Sequence, residues 1–240
     1  MLNEPIVIAE EGFQSAWIKV LQLLQEKGWE FNNLVVQIKN PTLLDMDLHH
    51  RVFEFSQKVE IQNPKQVAYT IFPQKLYENS ENADQLYLKY NRKGGFYERV
   101  KTQWGTYFRR MTNYKGEKSV QNQLRNIILA INERKKVWHA AYTIIIQKPG
   151  SETIMPLGGP CLNYIALQLE KKRKLRIGLL AVYRNHEFLK RAYGNYWGLC
   201  NLLRFVAKET NAEIAPITCI SSHAYVDSKK TELIELMREI

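Results

Sequence analysis

Cysteine is scarce in this chain: three residues in 240, at positions 161, 200 and 219, with no C-x-x-C pair. So odd and scattered a set speaks against a disulfide framework and against a thiol-based metal site. It points to a reducing compartment, and we expect the cytoplasm and no metal. No apolar run approaches the roughly 18 residues that span a bilayer, so no membrane partner is expected. Met1-Leu2-Asn3-Glu4-Pro5 has neither the basic start nor the apolar stretch of a secretory signal. No internal repeat, low-complexity tract or linker divides the sequence, and we expect one domain over residues 1–240. Helix-turn-helix, zinc-finger and RNA-binding-sheet signatures are all missing.

What is present is ordinary globular material with a basic bias. Hydrophobic residues make up 45% and charged residues 24%, enough apolar surface for a real core. Lys and Arg number 34 against 24 Asp and Glu, and this field favours anionic ligands: nucleotides, nucleic acid or polyanionic cofactors. The positive charge gathers at Arg109-Arg110, Arg134-Lys135-Lys136 and Lys171-Lys172-Arg173-Lys174. Any one cluster reads first as a solvated turn, which leaves nucleic acid as a possible partner but not the favoured one.

Periodicity predicts a helix over 12–28, with Trp17, Val20, Leu21 and Leu24 on one face and Gly28 ending it. Leu34 to Ile38 reads as a strand. Residues 65–78 and 83–91 read as helices, the first broken or kinked at Pro73. A helix is expected from Ser119 to Glu133, with Val120, Leu124, Ile127, Ile128 and Ile131 on one side. Strands are expected at Val137–Ile146, Leu162–Leu169, Leu175–Tyr183 and Ile214–Ile220, with helices at Gly194–Lys208 and Lys230–Glu239. Helices and strands mixed without regular alternation predict an α+β fold and argue against a doubly wound one.

The chemistry concentrates between Pro160-Cys161 and Ser222-His223-Ala224-Tyr225. An arginine such as Arg184 can fork onto a phosphate, and Asn195 can match a donor and an acceptor on a pyrimidine edge. His223 and Tyr225 can hold a sugar hydroxyl, and Cys161 can attack an electron-poor ring carbon. Each also has a plain structural reading: core thiol, strand-end cation, helix punctuation, packed pair. Cys200 and Cys219 read as core residues, and His186 and His139 as structural or solvent-facing.

In this order, the residues resemble the thymidylate synthase family, which includes pyrimidine nucleotide hydroxymethylases. The likeness is weak over Asn33–Pro41 and Trp104–Arg109, stronger over Gln121–Tyr142, and most specific from Pro160 to Asp227. It rests on a Pro-Cys before a strand, an arginine ending the next strand, an acid three places on, an Asn eleven places past the arginine, and a late His-x-Tyr. Those places hold Cys161, Arg184, Glu187, Asn195, and His223 with Tyr225.

The resemblance implies a mixed sheet packed with helices, with one sheet face used for dimerisation. It implies that a Cys161 thiolate adds to C6 of a dUMP- or UMP-like nucleotide, so that C5 accepts a one-carbon unit from methylenetetrahydrofolate. Arg184 would bind phosphate and lower the thiol pKa, and Asn185 would lie against the nucleotide. Asn195 would hold the base, His223 and Tyr225 the sugar, and Glu187 the folate ring. Lys135 and Lys136 would reach the phosphate of the neighbouring subunit in a homodimer, without the bidentate fork of the family's arginines.

The sequence departs from the pattern in several places. Leu162 stands where most synthases have histidine, and Asn185 where they have serine. Val67–Tyr77 lacks the glutamate that organises proton transfer, and Met237-Arg238-Glu239-Ile240 lacks the apolar character of the family's folate-covering tail. These departures keep open a nucleotide-binding sensor or regulator without chemistry, and the basic surface keeps open a nucleic-acid-binding homologue.

Overall fold

The structure is a computed structural model that describes residues 4–92, 104–116, 119–133, 142–150, 152, 158–171 and 173–240. It is an α+β protein, with helices packed on one mixed sheet. In chain order, β1 (Ile6–Glu10), α1 (Phe13–Glu26) and β2 (Glu30–Ile38) form a parallel βαβ unit. Four helices follow: α2 (Met46–Lys58), α3 (Pro64–Ile71), α4 (Gln74–Glu78) and α5 (Ala83–Asn91). Next come α6 (Tyr107–Thr112), the small hairpin β3 (Tyr114–Lys115) and β4 (Val120–Gln121), and α7 (Gln123–Glu133). The remainder comprises β5 (Tyr142–Ile145), β6 (Leu162–Lys171), β7 (Leu175–Tyr183), β8 (His186–Glu187), a π-helical turn (Phe188–Ala192), α8 (Tyr193–Glu209), β9 (Glu213–Tyr225) and α9 (Lys230–Glu239).

The main sheet runs β1-β2-β9-β7-β6-β5, with β8 added beside the end of β9. β7 and β9 are parallel, joined by a crossover through the π-helical turn and α8; β6 and β5 run antiparallel to their neighbours. Because side chains alternate along each strand, register sorts them into rows. On the helix-covered face one row is Val36, Cys219, Ala181, Ile165 and Ile144, every member buried. On the other face the row is Val7, Val35, Ile220, Val182, Tyr164 and Ile145. All six are exposed or half-buried, with Val7 67% exposed.

Local sequence explains several element ends. Asp45 caps α2 by accepting the Leu48 N–H at 3.0 Å, and Asn63 caps α3 by accepting that of Lys65 at 2.9 Å. Pro64 fits the first turn of α3, whereas Phe72-Pro73 separates α3 from α4 at the expected break. Gly194 and Gly198, one turn apart on α8, let α3 approach its backbone. A Cβ at Gly194 would fall 2.6 Å from Pro64 O and Val67 Cβ, and one at Gly198 would fall 2.8 Å from Ala68 O. This contact places α3 beside α8.

Several expectations need correction. Helix α7 starts at Gln123, and Val120 is 57% exposed in β4 rather than packed on a helix face. Arg110 is buried in a pair with Glu152 (Nη2–Oε1 2.5 Å), because its guanidinium also donates to the carbonyls of Trp104 and Ile146. That half of the Arg109-Arg110 cluster is a core tie, not a solvated cation. No helix among the described residues is long and apolar enough to cross a membrane.

Candidate functional site

A cleft of about 640 Å³ opens where β7 and β9 end and β6 begins. That is where ligands commonly bind sheets with parallel strands. One wall comes from the strand ends and the π-helical turn: Cys161, Asn185, His186, Glu187, Asn195 and Tyr225, with Lys190, Arg191 and Asp227 towards the rim. The facing wall is Gln62, Val67 and Thr70 from around α3, with Trp104, Gly105 and Tyr107. Gly158 and Gly159 complete the lining.

Cys161 lies half-buried just before β6. Burial pushes its thiol up, while the Arg184 and Arg191 charges oppose that rise. The Arg184 backbone N–H donates to Cys161 O at 2.9 Å, and its Nε donates to Pro160 O at 3.2 Å, tying the end of β7 to the start of β6. Behind the thiol, the Tyr107 hydroxyl accepts the N–H groups of Leu162 (3.4 Å) and Cys161.

Asn195 sits in the first turn of α8, 4% exposed, with Nδ2 3.1 Å from His186 Nε2. The His186 ring stacks on Tyr183 at 4.0 Å, nearly parallel, and its Nδ1 lies 2.9 Å from Ser221 Oγ. Burial pushes the imidazole down to about 3, so it is neutral. Glu187 opens the π-helical turn, its carboxylate accepting the backbone N–H groups of Leu189 (3.1 Å) and Lys190. Burial pushes this carboxyl up to about 7, outweighing those two donors. At the rim Lys190 pairs with Asp227 at 2.8 Å, and Arg191 donates to Gln62 Oε1 across the cleft.

Asn185 lines the cleft, and its Oδ1 accepts from His223 Nδ1 at 2.8 Å. The His223 ring in turn stacks on Tyr225 at 5.1 Å. Cys161, Asn185, Glu187, Asn195 and Tyr225 therefore share one cavity. Arg184 and His223 are not among its lining residues; each lies one step behind it, beside Cys161 and Asn185 respectively. Lys135, Lys136 and His139 lie outside the described residues. Cys200 and Cys219 are buried in the core. Among the described residues no group of three or more His, Cys, Asp or Glu could hold a metal ion.

Sequence reasoning passed over Tyr107, Arg191, Gln62 and the His186–Ser221 pair. Tyr107 and Gln62 reach the cleft through packing of distant helices and carry no local pattern. His186 and Ser221 had a faint signal: two polar residues next to Arg184 and the His-x-Tyr. No protein-family model matches the chain, and no curated protein matches it.

Proposed function

We propose that the cleft binds a dUMP- or UMP-like nucleoside monophosphate and that Cys161 adds to C6 of its base, in a thymidylate synthase-like transfer of a one-carbon unit to C5. The observation that carries the reading is the meeting of Cys161 and Asn195 in one cavity with Arg184 beside the thiol. The sulfur–C6 bond would form as the C5=C6 electrons move to C5, leaving C5 nucleophilic; once C5 carries the one-carbon unit, loss of its proton, addition of a hydride or water to that unit, and expulsion of the thiolate would restore the ring. Arg184 and Arg191 would favour the thiolate and attract the phosphate. Asn195 would hold the base edge, and Asn185 and Tyr225 would face the sugar, with His223 orienting Asn185. Methylenetetrahydrofolate, when bound, would supply the one-carbon unit. Glu187 offers it a buried acceptor and Trp104 a flat apolar surface, and a cavity of about 640 Å³ is within the usual range for organic ligands.

Tritium release from C5-labelled dUMP tests the chemistry. Wild type should release label, and Cys161→Ala should reduce release to background while changing dUMP affinity by only a few-fold. Equal release from both removes the nucleophile. The raised Cys161 thiol favours a second reading, a nucleotide sensor without turnover. Tight dUMP binding with no release from wild type would select it.

The sheet face that carries the exposed and half-buried row supports the homodimer within the same reading. Its apolar row from Val7 to Ile145 crosses six strands, and such a patch marks an interface in a soluble protein. Sedimentation should give a dimer for wild type and a folded monomer for Ile220→Lys; a wild-type monomer removes this part.

A further inference from the structure

We propose that His186 is a positioning residue that fixes the direction of the Asn195 amide, and thereby decides whether the site takes a 4-oxo or a 4-amino pyrimidine. The inference rests on the nucleotide reading above and deepens it. A carboxamide alone does not choose between the two bases. Uracil presents the N3–H donor beside the O4 acceptor, and cytosine presents the N3 acceptor beside the N4 donor. An asparagine free to turn over satisfies either edge. Selectivity needs an amide that is held.

The hydrogen bonds hold it. Nδ2 of Asn195 can only donate, so His186 Nε2, 3.1 Å away, must accept. A neutral imidazole that accepts at Nε2 carries its proton on Nδ1, which donates to Ser221 Oγ at 2.9 Å. Ser221 in turn hydrogen-bonds the Cys219 thiol. Every donor thus points the same way along Asn195, His186, Ser221 and Cys219. Turning the amide over would set its oxygen against Nε2, and would require the imidazole to change tautomer and the Ser221 hydroxyl to rotate. The parallel Tyr183 ring at 4.0 Å fixes the imidazole plane, and His186 and Ser221 are 1% and 0% exposed. The remaining Asn195 oxygen and N–H then face the cleft in one order, which the proposed function assigns to uracil.

Dissociation constants for dUMP, dCMP and ribose 5-phosphate, measured by calorimetry on wild type, His186→Phe and Ser221→Ala, test this. His186→Phe keeps an aromatic ring over Tyr183 and removes both nitrogens. Ser221→Ala leaves the cleft lining intact and frees the tautomer, and it carries the test if His186→Phe does not fold. Wild type should prefer dUMP over dCMP by about 100-fold or more. Both variants should bring that ratio within about 5-fold, with ribose 5-phosphate affinity unchanged. Nitrogen-15 NMR of wild type should show the His186 proton on Nδ1. A wild-type ratio retained in both variants, or a proton on Nε2, overturns the positioning role and leaves the nucleotide reading standing. A wild type that binds neither nucleotide, or does not prefer dUMP, removes the reading itself and this inference with it.

Discussion

The two walls of the cleft are built differently. The wall of strand ends and π-helical turn holds its ionisable lining residues: Cys161, His186, Glu187, Lys190, Arg191, Tyr225 and Asp227. Among the described residues the facing wall carries no charged side chain, and burial pushes its Tyr107 phenol up. Among the described residues, ionisable groups thus collect on one wall and uncharged surface on the other. Val67 and Thr70, from the acid-free stretch Val67–Tyr77, line the facing wall, and among the described residues the buried carboxyl that lines the cleft is Glu187, on the opposite side.

The largest expected effect tests whether the Glu187 carboxyl is buried in its wall. A carboxyl at about 7 in the folded chain, against 4.5 unfolded, holds its proton more tightly when folded. The associated stability is fully present below about pH 4.5 and is lost as pH rises to about 7, a change of about 3 kcal/mol. Glu187→Gln should remove that decline, read as urea stability at pH 4.5 and pH 8. An unchanged pH slope would place the carboxyl in solvent. His186 acts in the other direction: depressed to about 3 from 6.5, it contributes stability above about pH 6.5 that is lost as pH falls towards 3.

The facing wall is tested through its support. Gly194→Ala should push α3, with Val67 and Thr70, away from α8 and cost about 2 kcal/mol of stability in urea. A neutral result would mean that α3 does not need that contact. The smallest effect concerns the charge near Cys161. Because Cys200 and Cys219 are buried, iodoacetamide reads Cys161 selectively. Alkylation should be slow at pH 7.5, faster at pH 9.5, and about 3-fold slower at either pH in Arg184→Ala, since the cation opposes the burial-driven rise of the thiol. A faster reaction in the variant would mean that Arg184 shields rather than activates.

The same division explains what could be read from the sequence. Most of the charged wall lies within about sixty-five consecutive positions, so its residues appear as spaced motifs. The strands β6, β7 and β9 and the helix α8 were legible because long apolar runs carry a strong period. Helix α2 was missed although Leu48, Val52 and Phe55 have helical spacing, because charged neighbours dilute the pattern. β1 is a short edge strand with alternate residues exposed, and little marks it. The roles of Gly194 and Gly198 were not legible, because a glycine inside a helix reads as a weak point until the neighbouring backbone is known. Tyr107 and Gln62 join the site only through tertiary packing. Arg184 was legible as a special cation, but its position behind the thiol depends on the Pro160 carbonyl it binds.

The most direct measurement is a crystal structure with dUMP bound. The uracil should lie in the cleft, with C6 within bonding reach of Cys161 Sγ, Asn195 on the N3–O4 edge, and the phosphate on the Arg184 and Arg191 side. Uracil bound elsewhere, or lying in the cleft with C6 turned away from Cys161, would contradict the proposed function.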